Sequence, residues 1–444
     1  MRVGSLSKMR SLNPTMAGAM TQIPVLRQPA PHIVVSSKKE LHGWWPGKRE
    51  CTGERMLINP YNGCDFGCLY CYANSMNWGY FKLYRRMGLV TVFKDMDANV
   101  ARQLDSLDVA ACGYLSPVTD PFQPINSRYR LSEKMVRVFT ERGVPIDVVT
   151  KGIIPDEVIR LLAQNRHSFA QVSITTVNDE LRRRLSPGPS ASTDDLFYSL
   201  RRLSSWPCEG RQKIHTVCRI DPILPFITDD RRELKHLIER AKLCGADHII
   251  ASCVDIPIHS KSEMLKMLYS LNPAPRLGYE KLFTDRIDGS LHAHIDYRRE
   301  LFSYLRDLCV QNELSFALCM EFENVSTETM VKTASGKLKR VKSRGMNAEF
   351  MTGCQNCEGI DIPIYVRDLS GSFGYYIDHN GSKRPRFGPA AACTGACLTC
   401  SFPRCGVEDL AMGGTPNSRK DFNLRDYRRW SKQRADKKQE ALLL

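Results

Sequence analysis

The chain has 444 residues, a formal net charge of +15 and 17 cysteines, and 42% of its residues are hydrophobic. This length allows a barrel-sized domain together with a second unit. No apolar run reaches the length of a membrane span, which argues against a membrane protein. The odd number of scattered cysteines argues against a secreted disulfide framework and favours metal sites in a reducing compartment such as the cytoplasm. The positive charge favours a polyanionic partner.

Residues 1–45 show no packing pattern, and no acidic residue occurs before Glu40. A basic start that contains serines is typical of mitochondrial transit peptides. A disordered leader, or an upstream start codon, is the simpler explanation. We therefore predict a disordered or leader segment over 1–45 and a cytoplasmic protein, with mitochondrial or other targeting as the alternative.

From residue 56 the chain alternates short β-rich runs with longer amphipathic segments. Strands are predicted at 56–60, 109–116, 145–150, 169–175, 213–221, 247–254 and 314–322, and helices at 131–142, 155–164, 230–244 and 297–311. Alternating strands and helices favour a parallel sheet with crossover helices. The sequence predicts an α/β fold with a partial (β/α)6 TIM-like barrel over 46–325. Its active residues are expected at the carboxyl ends of the strands.

A loop with three cysteines follows the first predicted strand. In NPYNGCDFGCLYCYA, residues 59–73, Cys64, Cys68 and Cys71 have the spacing C-x₃-C-x₂-C. A fully ligated 4Fe–4S cluster needs four cysteines, so three thiolates would leave one iron open to a small molecule. The alternatives are a zinc knuckle or unrelated buried thiols. Zinc motifs usually pair two C-x₂-C units or add histidines, and neither feature is present near this loop.

The same spacing with an aromatic residue, Tyr70, before the last cysteine resembles the radical S-adenosylmethionine (SAM) superfamily. The wider string resembles its spore photoproduct lyase-like branch. This resemblance implies a 4Fe–4S cluster whose open iron is chelated by SAM. It also implies reductive cleavage of SAM to a 5′-deoxyadenosyl radical, an electron donor such as flavodoxin or ferredoxin, and a nucleic-acid substrate.

Four predicted strand ends carry the rest of the resemblance: SPVTDPFQP, VVTK, SITT and RIDPILPFITDD. Lys151, which ends VVTK, would contact the carboxylate of SAM. Taken alone, a lysine at the end of a strand is more often a surface charge. The resemblance implies contacts with SAM, or a place in its pocket, for Tyr70, Tyr72, Thr119, Asp120, Lys151 and Ser173.

The sequence departs from the lyase at its hydrogen donor. The resemblance expects a cysteine three residues before Asp120, where this chain has Pro117. Side chains alternate along a strand, so residues two positions apart share a face. Cys253 and Cys319 each share a face with an acidic residue two positions later. The alternative is that each candidate is a buried core residue. The sequence therefore offers three candidate catalytic residues: Cys253, Cys319 and Tyr114.

After residue 325 the composition changes, and we predict a separate, metal-stabilised domain over 326–444. Its cysteines are predicted to bind a second 4Fe–4S cluster or zinc. A basic loop at 331–345 and a basic tail at 419–438 flank them. The predicted ligands are Cys354, Cys357, Cys393, Cys397, Cys400 and Cys405.

Together these features predict a radical SAM enzyme that acts on nucleic acid. A first alternative is a radical SAM enzyme that modifies a peptide or a small molecule. A second is a metal-stabilised nucleic-acid-binding protein without catalysis.

Overall fold

A computed structural model describes residues 25–29, 56–75, 84, 87–105, 107, 109–208, 213–274, 276–287, 289–332, 338–354 and 356–390. The predicted leader apart from 25–29, the predicted ligands Cys393, Cys397, Cys400 and Cys405, and the basic tail lie outside these residues.

Seven strands form the central sheet. They are β1 Met56–Ile58, β2 Gly113–Leu115, β3 Ile146–Thr150, β4 Phe169–Ser173, β5 His215–Ile223, β6 His248–Cys253 and β7 Ser315–Leu318. They lie side by side in chain order, and every neighbouring pair is parallel. The predicted α/β fold is confirmed, and each strand of the sheet lies in or overlaps one of the seven predicted strands.

Helices connect and cover these strands. Some begin at a residue whose side chain caps the helix; for example, Ser192 and Asp195 form a capping box at the start of Thr193–Ser205. The helices are Met96–Asp105, Ile125–Tyr129, Leu131–Arg142, Asp156–Leu162, Asp179–Leu185, Thr193–Ser205, Arg231–Leu243, Lys261–Leu271, Arg276–Leu282, Ile295–Gln311 and Asn347–Phe350.

Two apolar clusters separate the two faces of the sheet. The outer cluster joins the sheet to the helices and contains, for example, Cys218 of β5 and Leu237 of the helix that follows it. The lumen cluster takes the alternate strand positions, so it lies on the inner face of the sheet. We define the lumen cluster as Cys112, Phe169, Val217, Ile250, Ala317, Cys319, Cys357 and Ile362.

Two predicted strands differ most from the structure. The run at 109–116 is divided, because Val109–Ala110 pairs with Tyr365–Arg367 instead of joining the central sheet. The run at 314–322 ends at Leu318, and Met320 then adopts a left-handed backbone conformation with φ 55°. The chain continues as Phe322–Lys332, which pairs with Leu338–Gly345. The predicted basic loop is therefore largely a β-hairpin.

Residues 351–364 close the amino-terminal end of the barrel. Cys357 and Ile362 pack in the lumen cluster. The side chains of His215 and His248, at the starts of β5 and β6, contact the carbonyl oxygens of Glu358 and Cys357 at 2.8 and 3.0 Å. Gly359 has φ 71°, and a Cβ there would lie 2.5 Å from His248. This end of the barrel is thus built from a distant part of the chain.

The remaining strands form small sheets at the margins of the barrel. Val25–Pro29, Val90–Lys94 and Tyr61–Asn62 form one three-stranded sheet, and Ile256–Pro257, Ser290–His292 and Asp285–Ile287 form another. Tyr365–Arg367 pairs with Phe387–Pro389 as well as with Val109–Ala110. Tyr375–Ile377 and Lys383–Pro385 form a hairpin.

A buried ion pair joins this carboxy-terminal part to the barrel helices. Arg142 donates to both oxygens of Asp105, at 2.8 and 3.1 Å, and both side chains are almost fully buried. Tyr376 and His379 also contact the Asp105 carboxylate, each at 2.7 Å. Burial alone would raise the pKa of Asp105, but these hydrogen bonds outweigh burial and lower the pKa to about 2.

Asp105→Ala is expected to lower the free energy of unfolding by about 3–5 kcal/mol, because Arg142 would remain buried without its counter-charge. Chemical denaturation at pH 7 measures this loss. The control is Asp97→Ala on the same helix, whose 3.8 Å pair with Lys134 is partly exposed; its loss should be at most about 1 kcal/mol. A carboxyl group with a lowered pKa stabilises the fold above its ordinary pKa of 3.8, and that stabilisation disappears as the pH falls through about 2. Equal losses in the two variants, at pH 7, would contradict the prediction.

Candidate active site

The loop with three cysteines is held at the carboxyl end of the barrel by contacts from other strand ends. Gly63, with φ 88°, turns the backbone. Its carbonyl oxygen accepts hydrogen bonds from Thr119 Oγ1 at 2.8 Å and Gln123 Nε2 at 3.1 Å. Tyr84 donates to the carbonyl oxygen of Cys64. These contacts fix the loop over the end of β2.

All three cysteines line one cavity, which encloses about 1010 Å³ of open space including its mouth. Nearly all residues predicted for the site meet here. Those that line the cavity are Cys64, Cys68, Cys71, Tyr70, Tyr72, Tyr114, Thr119, Asp120, Lys151, Ser173 and Cys253.

The three thiols suit an iron–sulfur cluster better than a single metal ion. Four sulfurs around one zinc lie about 3.8 Å apart, given Zn–S bonds of about 2.3 Å. The sulfurs of Cys64, Cys68 and Cys71 are more widely spaced, because they do not all lie within 4.8 Å of one another. Among the described residues, the only three potential ligand atoms of His, Cys, Asp or Glu that do so belong to Asp105, Asp378 and His379. A cluster with several irons spans such a spacing.

Electrostatics also favour a cationic group at this loop. Burial raises the pKa of the Cys64 thiol well above its usual value, and the nearby Asp120, Cys68 and Cys71 raise it further. Three thiolates beside a carboxylate would therefore repel one another in a buried site. Iron ions would remove that repulsion, so the residues present fit the group.

Asp120 organises the neighbouring strand ends. One carboxylate oxygen accepts hydrogen bonds from Thr150 Oγ1 at 2.7 Å and the Phe122 amide at 2.9 Å; the other accepts one from the Lys151 amide at 2.7 Å. Burial is the largest influence on the pKa of Asp120 and raises it. The direct contact of Asp120 with SAM remains a prediction; in the structure its carboxylate ties β2 to β3.

Lys151 and the aromatic residues form one wall of the cavity. The Lys151 ammonium lies 3.5 Å from the carbonyl oxygen of Asp221 and 5.7 Å from the ring centre of Tyr70. The Tyr70 hydroxyl lies 3.2 Å from Thr175 Oγ1. Tyr72 is half exposed and donates to the carbonyl oxygen of Pro117. A cation that lines the cavity suits the predicted contact of Lys151 with a carboxylate.

Sequence reasoning missed a polar layer on the inner face of the sheet. Each of its residues comes two positions after a residue of the lumen cluster that lies in a strand or directly before one. The layer is therefore on the same face of the sheet, nearer to the carboxyl ends of the strands and to the cavity. Its centre is Arg219, which donates to Gln171 Oε1 at 2.7 Å and to Asp221. A signal was present, because polar residues occur at alternate positions of buried strands. The layer consists of Tyr114, Gln171, Arg219, Ser252 and Cys319.

The two candidate thiols face different sides of the sheet. Cys319 belongs to the lumen cluster, and its sulfur lies 3.1 Å from Arg219 Nη2. Cys253 borders the cavity but packs in the outer cluster. Tyr114 lines the cavity. Their catalytic roles remain predictions; Cys253 and Tyr114 line the cavity, whereas Cys319 is not among its lining residues.

Cys354 and Cys357 lie at the other end of the barrel. Both pack with the lumen cluster, and the Cys354 thiol contacts the carbonyl oxygen of Phe316 at 3.4 Å. Burial raises the pKa of Cys354 to about 12. Their proposed partners from Cys393 onward lie outside the described residues, so the second metal site remains a prediction.

Comparison with known proteins identifies the chemistry. Residues 58–237 match the family model of the Radical SAM superfamily. A Radical SAM Nalpha-GlyT isomerase of Pseudomonas phage M6 is 30% identical over 399 residues, which span 85% of this chain and 75% of the phage protein. The chain belongs to the radical SAM superfamily. It is a radical SAM enzyme, and the family implies a 4Fe–4S cluster and SAM at this cavity.

Other relatives of this radical SAM enzyme are more distant. An uncharacterized protein of Methanocaldococcus jannaschii is 25% identical over 198 residues, or 44% of this chain and 69% of that protein. A solved spore photoproduct lyase variant aligns with a TM-score of 0.45 and 13% identity over 66% of this chain and 81% of that one. Among the described residues, no helix has the length and apolar character needed to cross a membrane.

Proposed function

We propose that this radical SAM enzyme modifies or repairs a nucleic acid, and that its reaction is an isomerisation like the one named for the phage relative. The net charge of +15 supports the nucleic-acid part, because a strongly basic protein attracts polyanions. The relative's name supports the reaction type. A peptide or small-molecule substrate is the remaining alternative, since membership of an enzyme family sets the non-catalytic alternative aside.

We assign the following roles to the residues of the cavity. Cys64, Cys68 and Cys71 would hold three irons and leave one for SAM, and the bound cofactor would supply a carbon radical after one-electron reduction. Lys151 would bind the carboxylate of SAM. The half-exposed ring of Tyr72 lies at the cavity and would limit the access of water.

This proposal includes an electron donor and a second metal centre. The cluster needs a one-electron donor, for which flavodoxin or ferredoxin is proposed, and a reducing compartment such as the cytoplasm suits both cluster and thiols. A second 4Fe–4S cluster or zinc is proposed for the carboxy-terminal cysteines, with Cys354 and Cys357 as its ligands within the described residues.

The basic hairpin is the proposed nucleic-acid contact. Its strands Phe322–Lys332 and Leu338–Gly345 are antiparallel, with Val331 opposite Lys339 and Met330 opposite Arg340, and their register shifts between Asn324 and Thr329. Binding of phosphates is assigned to the six lysines and arginines of 331–345.

Changing Lys339, Arg340 and Lys342 to alanine is expected to weaken nucleic-acid binding and to flatten its salt dependence. Each neutralised phosphate contributes about −0.7 to −0.9 to the slope of log K against log salt, so the slope should fall by about 2–3. Fluorescence anisotropy with a labelled oligonucleotide at 50–300 mM salt, about the range over which such contacts weaken, measures this. Changing the exposed Arg160, Lys235 and Lys266 to alanine is the control, since it removes the same charge elsewhere. Equal slopes in the two variants would move the proposal to a peptide or small-molecule substrate.

A further inference from the structure

The segment 185–188 packs directly against the cysteine loop. The Leu69 amide donates to the carbonyl oxygen of Leu185 at 2.9 Å, and the Gly188 amide donates to the carbonyl oxygen of Phe66 at 3.0 Å. A Cβ at Gly188 would lie only 2.7 Å from that oxygen of Phe66, so this close approach requires a glycine. The position of the loop is therefore coupled to the position of this segment.

Ser186, within this segment, brings a hydroxyl group to one of the cysteine sulfurs. Its amide donates to the carbonyl oxygen of Arg182 at 2.8 Å, which fixes its backbone at the end of the helix Asp179–Leu185. Its Oγ donates to Cys68 Sγ at 3.0 Å. Only 4% of Ser186 is exposed, so bulk water has little access to this hydrogen bond.

The hydrogen bond changes in strength with the charge on the sulfur. A thiolate that is bound to iron carries no proton, so the Ser186 hydroxyl must be the donor when the loop holds a cluster. A hydrogen bond to an ionised acceptor is about twice as strong as one to a neutral acceptor. Hydrogen bonds to the sulfurs are among the factors that set the reduction potential of an iron–sulfur cluster. A donor at Cys68 would therefore stabilise the reduced state, which is the more negative one.

Tyr70 provides a second hydroxyl near the same sulfur. It interacts with the side chains of Cys68 and Ser186. Burial, and next the nearby Cys68 thiol, raise the pKa of Tyr70 well above its usual value, so the phenol keeps its proton. Tyr70 lines the cavity, whereas Ser186 is not among the lining residues. A substitution of Ser186 therefore removes one donor from Cys68 and leaves the lining of the cavity intact.

We propose that Ser186 is a positioning residue of the cluster site, and that its hydrogen bond to Cys68 raises the reduction potential of the cluster. The proposal rests on the proposed role of the three cysteines as iron ligands, and it is independent of the substrate. In the reduction step one electron enters from the external donor, no proton is transferred, and the O–H bond of Ser186 stays intact. Ser186 would thus help a donor of modest reducing power to reduce the cluster.

The test is an anaerobic redox titration of the reconstituted full chain without SAM, followed by electron paramagnetic resonance. The signal that is followed is the one that disappears when Cys64, Cys68 and Cys71 are replaced with alanine, which separates it from any second cluster. At the potential that reduces half of the wild-type cluster, the ratio of reduced to oxidised cluster in Ser186→Ala should fall about tenfold, or about 59 mV for one electron.

Two further variants keep the hydrogen bond and should keep the ratio. Ser186→Thr retains a hydroxyl donor, so its ratio should stay within about threefold of the wild-type value. Ser190→Ala removes a hydroxyl that accepts from Arg182 Nη1 at 2.6 Å, so it is the matched control in the same part of the chain. Gly188→Ala should lower the ratio as Ser186→Ala does, because its Cβ must push the segment away from the loop.

The iron content of each variant decides how its ratio is interpreted. A wild-type ratio in Ser186→Ala with its iron retained would overturn the proposal, as would an equal fall in Ser186→Ala and Ser186→Thr. If Ser186→Ala loses its iron, a wild-type ratio in Gly188→Ala, or loss of iron there as well, would overturn the proposal. Absence of any reduced-cluster signal in the wild-type chain would instead contradict the proposed role of the three cysteines.

Discussion

Replacing Cys64, Cys68 and Cys71 with alanine is expected to abolish formation of 5′-deoxyadenosine from SAM, to below about one hundredth of the wild-type rate. Without these thiolates no iron is held at the loop, and the remaining side chains of the cavity cannot reduce the sulfonium of SAM. The measurement is chromatographic analysis of the products after anaerobic reconstitution with iron and sulfide and reduction with dithionite.

The matched control removes three thiols elsewhere. Cys208, Cys244 and Cys309 lie outside the cavity, two of them in the outer cluster; their replacement with alanine should leave the rate within about threefold, because core substitutions that lose one small group act on stability and not on the site. Iron or zinc that remains in the first variant would support the proposed second metal site. Continued 5′-deoxyadenosine formation by the first variant would place the cluster elsewhere.

Truncation of the chain after Thr352 is expected to prevent stable folding of the barrel. It removes Cys357 and Ile362 from the lumen cluster and the carbonyl partners of His215 and His248. It also removes Arg367, whose guanidinium donates to the carbonyl oxygens of Leu104 and Leu107 at 2.9–3.1 Å. Each buried polar group left without a partner costs about 1–3 kcal/mol, and a domain is stable by only about 5–15 kcal/mol.

The control is truncation after Ala390, which keeps every contact described here. Circular dichroism and thermal unfolding should show a cooperative transition for residues 1–390 and none for residues 1–352. A cooperative transition in residues 1–352, at a temperature close to that of the full chain, would show that residues 353–390 are dispensable for the barrel. Loss of the transition in both would show that residues after 390 also stabilise it.

The strands and the cysteine loop could be predicted because their signals are local. The alternation of side chains along β3 to β6, and the spacing of Cys64, Cys68 and Cys71, are read within a few residues of one another. The predicted helix at 131–142 coincides with Leu131–Arg142, which ends where Gly143 takes φ 78°. Where a strand ends could not be predicted as well. Met320 takes a left-handed backbone conformation although it is not a glycine, so the sequence does not indicate that the strand ends before it.

The polar layer at the base of the cavity could not be assembled from the sequence. The contact of Arg219 with Cys319 joins residues 100 positions apart, and that of Gln171 with Arg219 joins residues 48 apart. A sequence shows that each strand has two faces, but it does not show which face is inside. The pairing of β6 with β5 shifts register between Ala251 and Cys253, and Cys253 both lines the cavity and packs in the outer cluster, which alternation alone does not predict.

By itself, the sequence determined the family chemistry and the order of strands and helices. Both depend on spacing between near neighbours, which covalent geometry and side-chain periodicity control directly. Only the tertiary structure decided which thiol lies beside a cation, which carboxylate ties strand ends together, and that Cys357 helps to close the barrel's amino-terminal end. These features depend on contacts between residues far apart in the chain, and packing of the whole sheet and its helices brings such residues together.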